Sequence, residues 1–138
     1  MKQIVKPLLL VYCLVFFIAG CQTATRRQAS NENWQLKAIG TYKGVIFSSG
    51  TNCQGMTTIT MKTNGIMSGE YEFIEKGTTV SGALYDFQVV APLKLKCKWR
   101  DIYGTGDLVM LFNEDITEFS GYWNLKGISE KYPWNGSK

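Results

Sequence analysis

From residue 34 onward, apolar and polar residues alternate in short runs that Gly, Asn or Pro interrupts every eight to twelve residues. This pattern is typical of short antiparallel strands joined by tight turns, and no stretch keeps the 3.6-residue period of a helix. The clearest run begins at Leu93, where apolar residues alternate with cations as far as Arg100. Strands are predicted near residues 39–47, 56–63, 66–75, 78–88, 93–99, 106–112 and 117–124, with a last short one around Trp134.

Two hairpins join the predicted strand 56–63 to 66–75 and 66–75 to 78–88. Their registers follow from the requirement that their apolar faces match. A three-residue loop, 63–65, with its glycine in the left-handed conformation pairs Met61 with Met67 and keeps carboxylates out of the core. The two-residue loop at 76–77 then pairs Tyr71 with Gly82 across the next hairpin.

Two further hairpins are predicted in the second half of the chain. A six-residue loop, 100–105, places the apolar face of 106–112 opposite that of 93–99. A four-residue loop, 113–116, pairs Met110 with Phe119.

An apolar-Ser-Gly triplet occurs three times, and each time the pairing places its glycine opposite a large side chain. The triplets begin at Met67, Val80 and Phe119. Glycine makes room for large rings inside a narrow, strongly curved sheet. We therefore expect an all-β domain, a small antiparallel up-and-down barrel of seven or eight strands, with a β-sandwich as the alternative.

Four short segments resemble the strand pattern of avidin-like and other calycin-type barrels. They are 40–42, 56–59, 68–71 and 119–123. The residues that form the biotin site of avidins are not recognisable, so the resemblance implies the fold and not the ligand. The general plan expected for this chain, a small disulfide-bearing β-barrel tethered by lipid, is also similar to bacterial lysozyme-inhibitor lipoproteins. Their inhibitory loop motif has no match in this chain.

The N-terminus reads as an export signal. Lys2 and Lys6 precede an almost wholly apolar run, 8–18, which is shorter than the roughly 20 residues of a spanning helix. The segment 16–22, Phe-Phe-Ile-Ala-Gly-Cys-Gln, resembles the lipobox of bacterial lipoproteins. In that family the cysteine, here Cys21, is lipidated and becomes the first residue of the mature protein. The alternatives are ordinary cleavage a little later, for instance after Ala24, and an uncleaved anchor.

This interpretation divides the chain into a signal peptide at 1–20, a lipidated N-terminus and flexible tether at 21–35, and a barrel at 36–138. Within it, residues 22–33 contain no apolar residue larger than alanine and therefore cannot bury themselves. Gln22 is not the aspartate that favours inner-membrane retention in enterobacterial lipoproteins. An anchor in the bacterial envelope is expected, in the outer membrane if the source is Gram-negative, with acyl chains as the membrane contact.

Net charge and cysteine content bear on the class of partner and on the disulfide expected. The formal net charge of +4 falls to about +2 without Lys2 and Lys6, which argues against nucleic acid as a partner. Cys53 and Cys97 remain after the signal and the lipidated residue are set aside, and an oxidising compartment would favour joining them in a disulfide. Two separate buried thiols are the alternative. The bridge would pin a predicted loop, 48–55, over one mouth as a lid or rim.

Candidate chemistry is sparse, because the chain has no histidine and so lacks the usual general base and the commonest metal ligand. Glu70 and Glu72 are expected on a solvated outer face rather than as a glycosidase pair. The acidic segment 113–115 is expected to be a turn rather than a calcium site. Neither catalysis nor a cofactor or metal is predicted.

Two sets of residues remain as binding candidates. The first is a group of rings expected to line one end of the barrel, where plain core filling is the alternative; it comprises Tyr42, Tyr71, Trp99, Phe119 and Trp123. The second is a cationic stripe on the outer face, for which a solvated face is the alternative; it comprises Lys94, Lys96, Lys98 and Arg100. The predicted role is non-catalytic binding, either of a small apolar ligand or of an envelope protein such as a lysozyme-like wall hydrolase.

Overall fold

The computed structural model of the protein describes residues 34–138. The predicted signal peptide, the lipidation site Cys21 and residues 21–33 of the predicted tether lie outside these described residues. Within them, no helix is long and apolar enough to cross a membrane.

The described chain folds into a closed barrel of eight antiparallel strands in up-and-down order. The strands are β1 (Gly40–Ser48), β2 (Thr51–Met61), β3 (Met67–Glu75), β4 (Thr78–Ala91), β5 (Lys94–Asp101), β6 (Gly104–Phe112), β7 (Glu118–Leu125) and β8 (Tyr132–Ser137). Each strand pairs with the next, and β8 pairs back onto β1, so the sheet has no open edge. The predicted all-β barrel is therefore confirmed, and the sandwich is excluded.

A one-turn helix, α1 (34–38), precedes β1 and lies at one end of the barrel. Trp34 packs its ring 6.0 Å from that of Phe112, and Ala38 is fully buried. The Tyr42 hydroxyl donates a 2.9 Å hydrogen bond to the carbonyl of Ala38. Residues 34 and 35, assigned to the tether from the sequence, thus belong to the folded unit, because burying the Trp34 ring stabilises the turn that carries it.

The hairpins β2–β3 and β3–β4 have the predicted registers. Met61 pairs with Met67, and Gly65 in the loop has a φ of 78°. Tyr71 pairs with Gly82 across a two-residue turn. Apolar face matching and turn length are enough to set these registers, because both turns are short and contain glycine.

The next two loops differ from prediction. Asp101 pairs with Gly104, so the turn between β5 and β6 has two residues rather than six, although the facing side chains are those expected. Between β6 and β7, Met110 pairs with Gly121 and not with Phe119. The cause is Asn113, whose side-chain oxygen accepts the backbone N–H groups of residues 117 and 118 and moves the loop one residue along the chain.

The segment 48–55, predicted to be a loop that serves as a lid or rim, is not a loop. Ser48 pairs with Thr51 across a tight turn, so most of the segment 48–55 is the start of β2. Ser49 and Gly50 in that turn both have positive φ, 49° and 83°, as a type I′ hairpin turn requires.

Two glycines show how closely the wall approaches the inward rings. A Cβ atom at Gly82 would lie 2.3 Å from the ring of Tyr71 on the neighbouring strand. A Cβ atom at Gly106 would lie 1.8 Å from the backbone oxygen of Asn124 and 2.8 Å from the Trp99 indole nitrogen. The predicted pairing of glycine with large inward side chains therefore holds at both places.

Candidate functional site

The two ends of the barrel differ. One end is covered by α1, whereas the other, which we call the mouth, is formed by the turns 49–50, 76–77 and 102–103 and the connection 126–131. A cavity of about 190 Å³ lies at the mouth. It is lined by Ile46, Phe47, Ser48, Ser49, Tyr71, Phe73, Trp99, Asp101, Tyr103, Trp123, Leu125 and Trp134.

Aromatic rings form much of the cavity wall, and several meet at steep angles. The rings of Trp99 and Trp123 are 5.3 Å apart at 84°, and those of Tyr71 and Trp134 are 4.6 Å apart at 70°. Phe73 stacks parallel to Tyr71 at 6.4 Å. Edge-to-face packing of this kind is favourable and holds each ring in one orientation.

The three indole N–H groups at the cavity all donate to protein oxygens. Trp99 donates to the carbonyl of Asn124 at 3.1 Å, and Trp123 donates to that of Phe47 at 3.0 Å. Trp134 donates to the Thr57 hydroxyl at 2.9 Å. These bonds fix the rings and leave only their carbon surfaces for contact with a ligand.

Two carboxylates lie at the mouth, at the ends of β3 and β5. Asp101 accepts the Tyr71 hydroxyl at 2.8 Å and the backbone N–H of Tyr103 at 2.7 Å. Glu75, only 8% exposed, accepts the Ser48 hydroxyl at 2.6 Å and also the hydroxyl of Tyr103. Tyr103 thus connects the two acidic groups across the mouth.

These contacts shift the pKa values of the ionisable side chains at the mouth. Hydrogen bonds from Ser48 first, then Tyr103 and Ser49, lower the pKa of Glu75 below its usual value. Burial, reinforced by the bond to Asp101, raises the pKa of Tyr71. The bond to Glu75 raises the pKa of Tyr103. At neutral pH, therefore, Glu75 is an anion held by neutral hydroxyl donors.

The five rings predicted to line one end of the barrel are divided between its two ends. Tyr71, Trp99 and Trp123 come together at the cavity. Tyr42 and Phe119 do not, because they lie on the inward face near α1, with their rings 5.3 Å apart. Burial raises the pKa of Tyr42 to about 12, in keeping with a place in the closed core.

Several residues of the site were missed in the sequence analysis. Trp134 was assigned to a strand but not to the cavity, and Phe73 lies in the predicted strand 66–75 without an assigned role. Asp101 fell inside the predicted loop 100–105, and Glu75 stood at a predicted strand end with no assigned partner. The signal that could have found both acids is their position beside the mouth turns, next to strands that carry inward rings.

The cationic stripe is partly neutralised. Lys98 and Lys96 approach the carboxylate of Asp107 on β6 at 2.5 and 3.4 Å. The guanidinium of Arg100 lies 5.7 Å from the ring centre of Tyr85. Lys94 completes the stripe at the start of β5. The four side chains share the outer face, as predicted, but Asp107 offsets part of their charge.

The predicted disulfide is not formed, since Cys53 and Cys97 are both buried free thiols. They lie on β2 and β5, with β3 and β4 between them along the wall. Neighbouring strands are about 4.8 Å apart, so three strand steps around a barrel separate Cα atoms by roughly 12 Å, beyond the reach of a disulfide. Burial raises the pKa of both thiols.

The acidic pairs considered from the sequence form no site. Glu70 and Glu72 are exposed, and Glu70 pairs with Thr58 on β2. Residue 113 caps the turn after β6, as described above. Among the described residues, no group of three His, Cys, Asp or Glu side chains is placed to hold a metal ion.

Comparison with protein-family models, with curated proteins and with solved structures finds no match to this chain. The resemblances to lipoproteins and to avidin-like or calycin barrels therefore remain expectations from the sequence.

The lowered pKa of Glu75 predicts a pH-dependent contribution to stability. The ionised form is the one held in the folded state, so the contribution is present above the usual pKa of 4.5 and lost as pH falls through the lower folded value. We expect the Glu75→Gln variant to be less stable than wild type near neutral pH and the difference to narrow in acid, as measured by urea unfolding.

Glu70→Gln is the control, because it removes one negative charge from an exposed outward position on the same strand, β3. A wild-type advantage over Glu75→Gln that stays constant from about pH 7 to about pH 3 would contradict the assignment.

Proposed function

We propose that this protein is a cell-envelope lipoprotein whose barrel binds a small apolar or aromatic molecule at the mouth, without catalysis. The observation that carries the binding proposal is the cavity itself, which has rings on several sides and whose three indole N–H groups are all hydrogen-bonded to the wall. Burial of apolar ligand surface against these rings is favourable, and the tryptophans offer a ligand little hydrogen bonding.

The size of the cavity suits one ring or a compact branched group. At about 190 Å³ it is somewhat larger than an engineered apolar cavity of about 150 Å³ that accepts benzene. Eight-stranded barrels either fill their interior or hold one small ligand. The end near α1 is filled by Tyr42, Phe112 and Phe119, which leaves the mouth as the place for a ligand.

Binding of an envelope protein through the cationic stripe is the weaker alternative. A partner would have to compete with Asp107 for Lys96 and Lys98, and exposed ion pairs contribute little to affinity. An inhibitor of a lysozyme-like hydrolase or an accessory subunit of an envelope complex belongs to this alternative.

The anchor is proposed from the sequence around Cys21. Two or three acyl chains give stable attachment, whereas one gives reversible attachment. The first residue of α1 lies 13 positions after Cys21, and α1 is at the end opposite the mouth. The anchor is proposed to lie in the outer membrane if the source is Gram-negative.

Ligand binding predicts a response of tryptophan fluorescence, because three of the four tryptophans line the cavity. Toluene, cyclohexanol or 3,3-dimethylbutan-1-ol should quench or shift the emission of the folded protein. The Trp123→Ala variant should bind at least about tenfold more weakly, since it loses a wall ring.

Trp34→Phe is the matched control, because Trp34 lies against Phe112 at the closed end. It should keep the response with one emitter fewer. Thermal unfolding of each variant establishes that it is folded. No response from folded wild-type protein, or equal loss in both variants, would overturn the binding proposal.

Lipidation predicts that radiolabelled palmitate enters the protein expressed in a bacterial host and that the Cys21→Ser variant remains unlabelled. The mature protein should fractionate with membranes in wild type and be released in the variant. Cys13→Ser, inside the predicted signal, is the control and should label normally. Equal labelling of wild type and Cys21→Ser would refute the anchor.

A further inference from the structure

The cavity has an uneven charge distribution. Among its twelve lining residues in the described chain, Asp101 is the one with a charged side chain, and no lysine or arginine takes part. A second carboxylate, that of Glu75, stands directly behind two lining residues, Ser48 and Tyr103, and accepts a hydrogen bond from each.

Both carboxylates are held by neutral donors. Asp101 accepts a tyrosine hydroxyl and a backbone N–H, and Glu75 accepts serine and tyrosine hydroxyls. Within residues 34–138, the ion pairs closer than 4.0 Å are both made by Asp107 on the outer wall. Lys76 follows Glu75 in the chain and acts on it through its charge, without an ion pair. The negative charge of the mouth is thus not cancelled by direct contact.

The same space is bounded by the aromatic rings described above. The negative face of an aromatic ring attracts a cation, most strongly for tryptophan and when the cation is desolvated. Rings at steep angles to one another can contact a rounded cation from more than one side. Carboxylates beside the rings add long-range attraction in the same direction.

We propose that the ligand of this cavity is a small organic cation, an alkylammonium group of roughly the size of trimethylammonium, whose charge is attracted by Asp101 in the lining and by Glu75 behind it. This inference rests on the proposed binding function and adds the chemical class of the ligand. A neutral molecule of the same shape gains from burial alone, and an anion is repelled by both carboxylates.

The test compares two molecules of matched shape. Choline carries a trimethylammonium group, and 3,3-dimethylbutan-1-ol has the same branched outline without the charge. Affinities are measured by calorimetry on the full mature protein at constant ionic strength. Choline should bind at least about tenfold more tightly than the alcohol.

Two variants locate the preference. Asp101→Asn and Glu75→Gln keep the side-chain shape and an acceptor oxygen but remove the charge. Each should lower choline affinity severalfold more than it lowers that of the alcohol. Glu70→Gln removes a charge from the exposed outer wall and should change neither affinity. Thermal unfolding checks that every variant is folded, and using two carboxylate variants keeps the test decisive if one fails to fold.

The outcomes separate the two proposals. Equal affinities for choline and the alcohol would overturn the cation preference and leave the apolar site in place. A choline preference that survives both carboxylate variants, or that Glu70→Gln also removes, would overturn the assignment to the mouth. Failure of both molecules to bind folded protein would overturn the cation proposal and count against the binding site itself.

Discussion

The structure depends on a steric constraint inside a narrow barrel, in which several large inward rings lie against a neighbour without a Cβ atom. Tyr71 lies against Gly82, and Trp99 lies against Gly106. Eight strands enclose an interior just wide enough for side chains, so an alanine at either glycine would displace a ring or a neighbouring backbone. The same close approach brings aromatic surface into a space where it can surround a small molecule.

Hydrogen bonding then decides which parts of those rings are available. The backbone and hydroxyl acceptors of the wall take the indole N–H groups, and Asp101 takes the Tyr71 hydroxyl. Buried polar atoms cost free energy when unpaired, so these bonds stabilise the fold as well as orienting the rings. The result is a surface of ring carbon with acidic groups at one end.

The two ends of the barrel use aromatic residues differently. Near α1, Tyr42, Phe112 and Phe119 contact one another and fill the interior. At the mouth, pairs of contacting rings line a space of about 190 Å³. The interior is therefore filled at the end near α1 and keeps an open space at the mouth.

Alternation along each strand predicts which face is inward, and turn length with glycine predicts register, so strands and the first hairpins follow from the sequence. The end of the barrel at which an inward residue lies cannot be predicted in this way, because residues on the inward face have the same periodicity at both ends. Tyr42 and Phe119 were therefore assigned to the wrong end. The β6–β7 register depends on one side-chain cap, that of Asn113, which strand pattern does not reveal.

Contacts between distant strands are the hardest to predict. Compartment and cysteine count suggested a bridge between Cys53 and Cys97, but neither states how far apart β2 and β5 lie around the wall. The link from Glu75 through Tyr103 to Asp101 likewise forms only when the mouth turns meet. It requires the closed barrel, and each segment read alone shows only polar residues at strand ends.

The most direct measurement of the central claim, that the mouth is a binding site, is a nitrogen-15 NMR titration that follows the four indole N–H signals as choline or 3,3-dimethylbutan-1-ol is added. If the mouth binds these molecules, the signals of Trp99, Trp123 and Trp134 will move together and saturate while that of Trp34 stays in place. Saturating shifts confined to Trp34 or to outer-wall amides, or no shifts at all in folded protein, would contradict it.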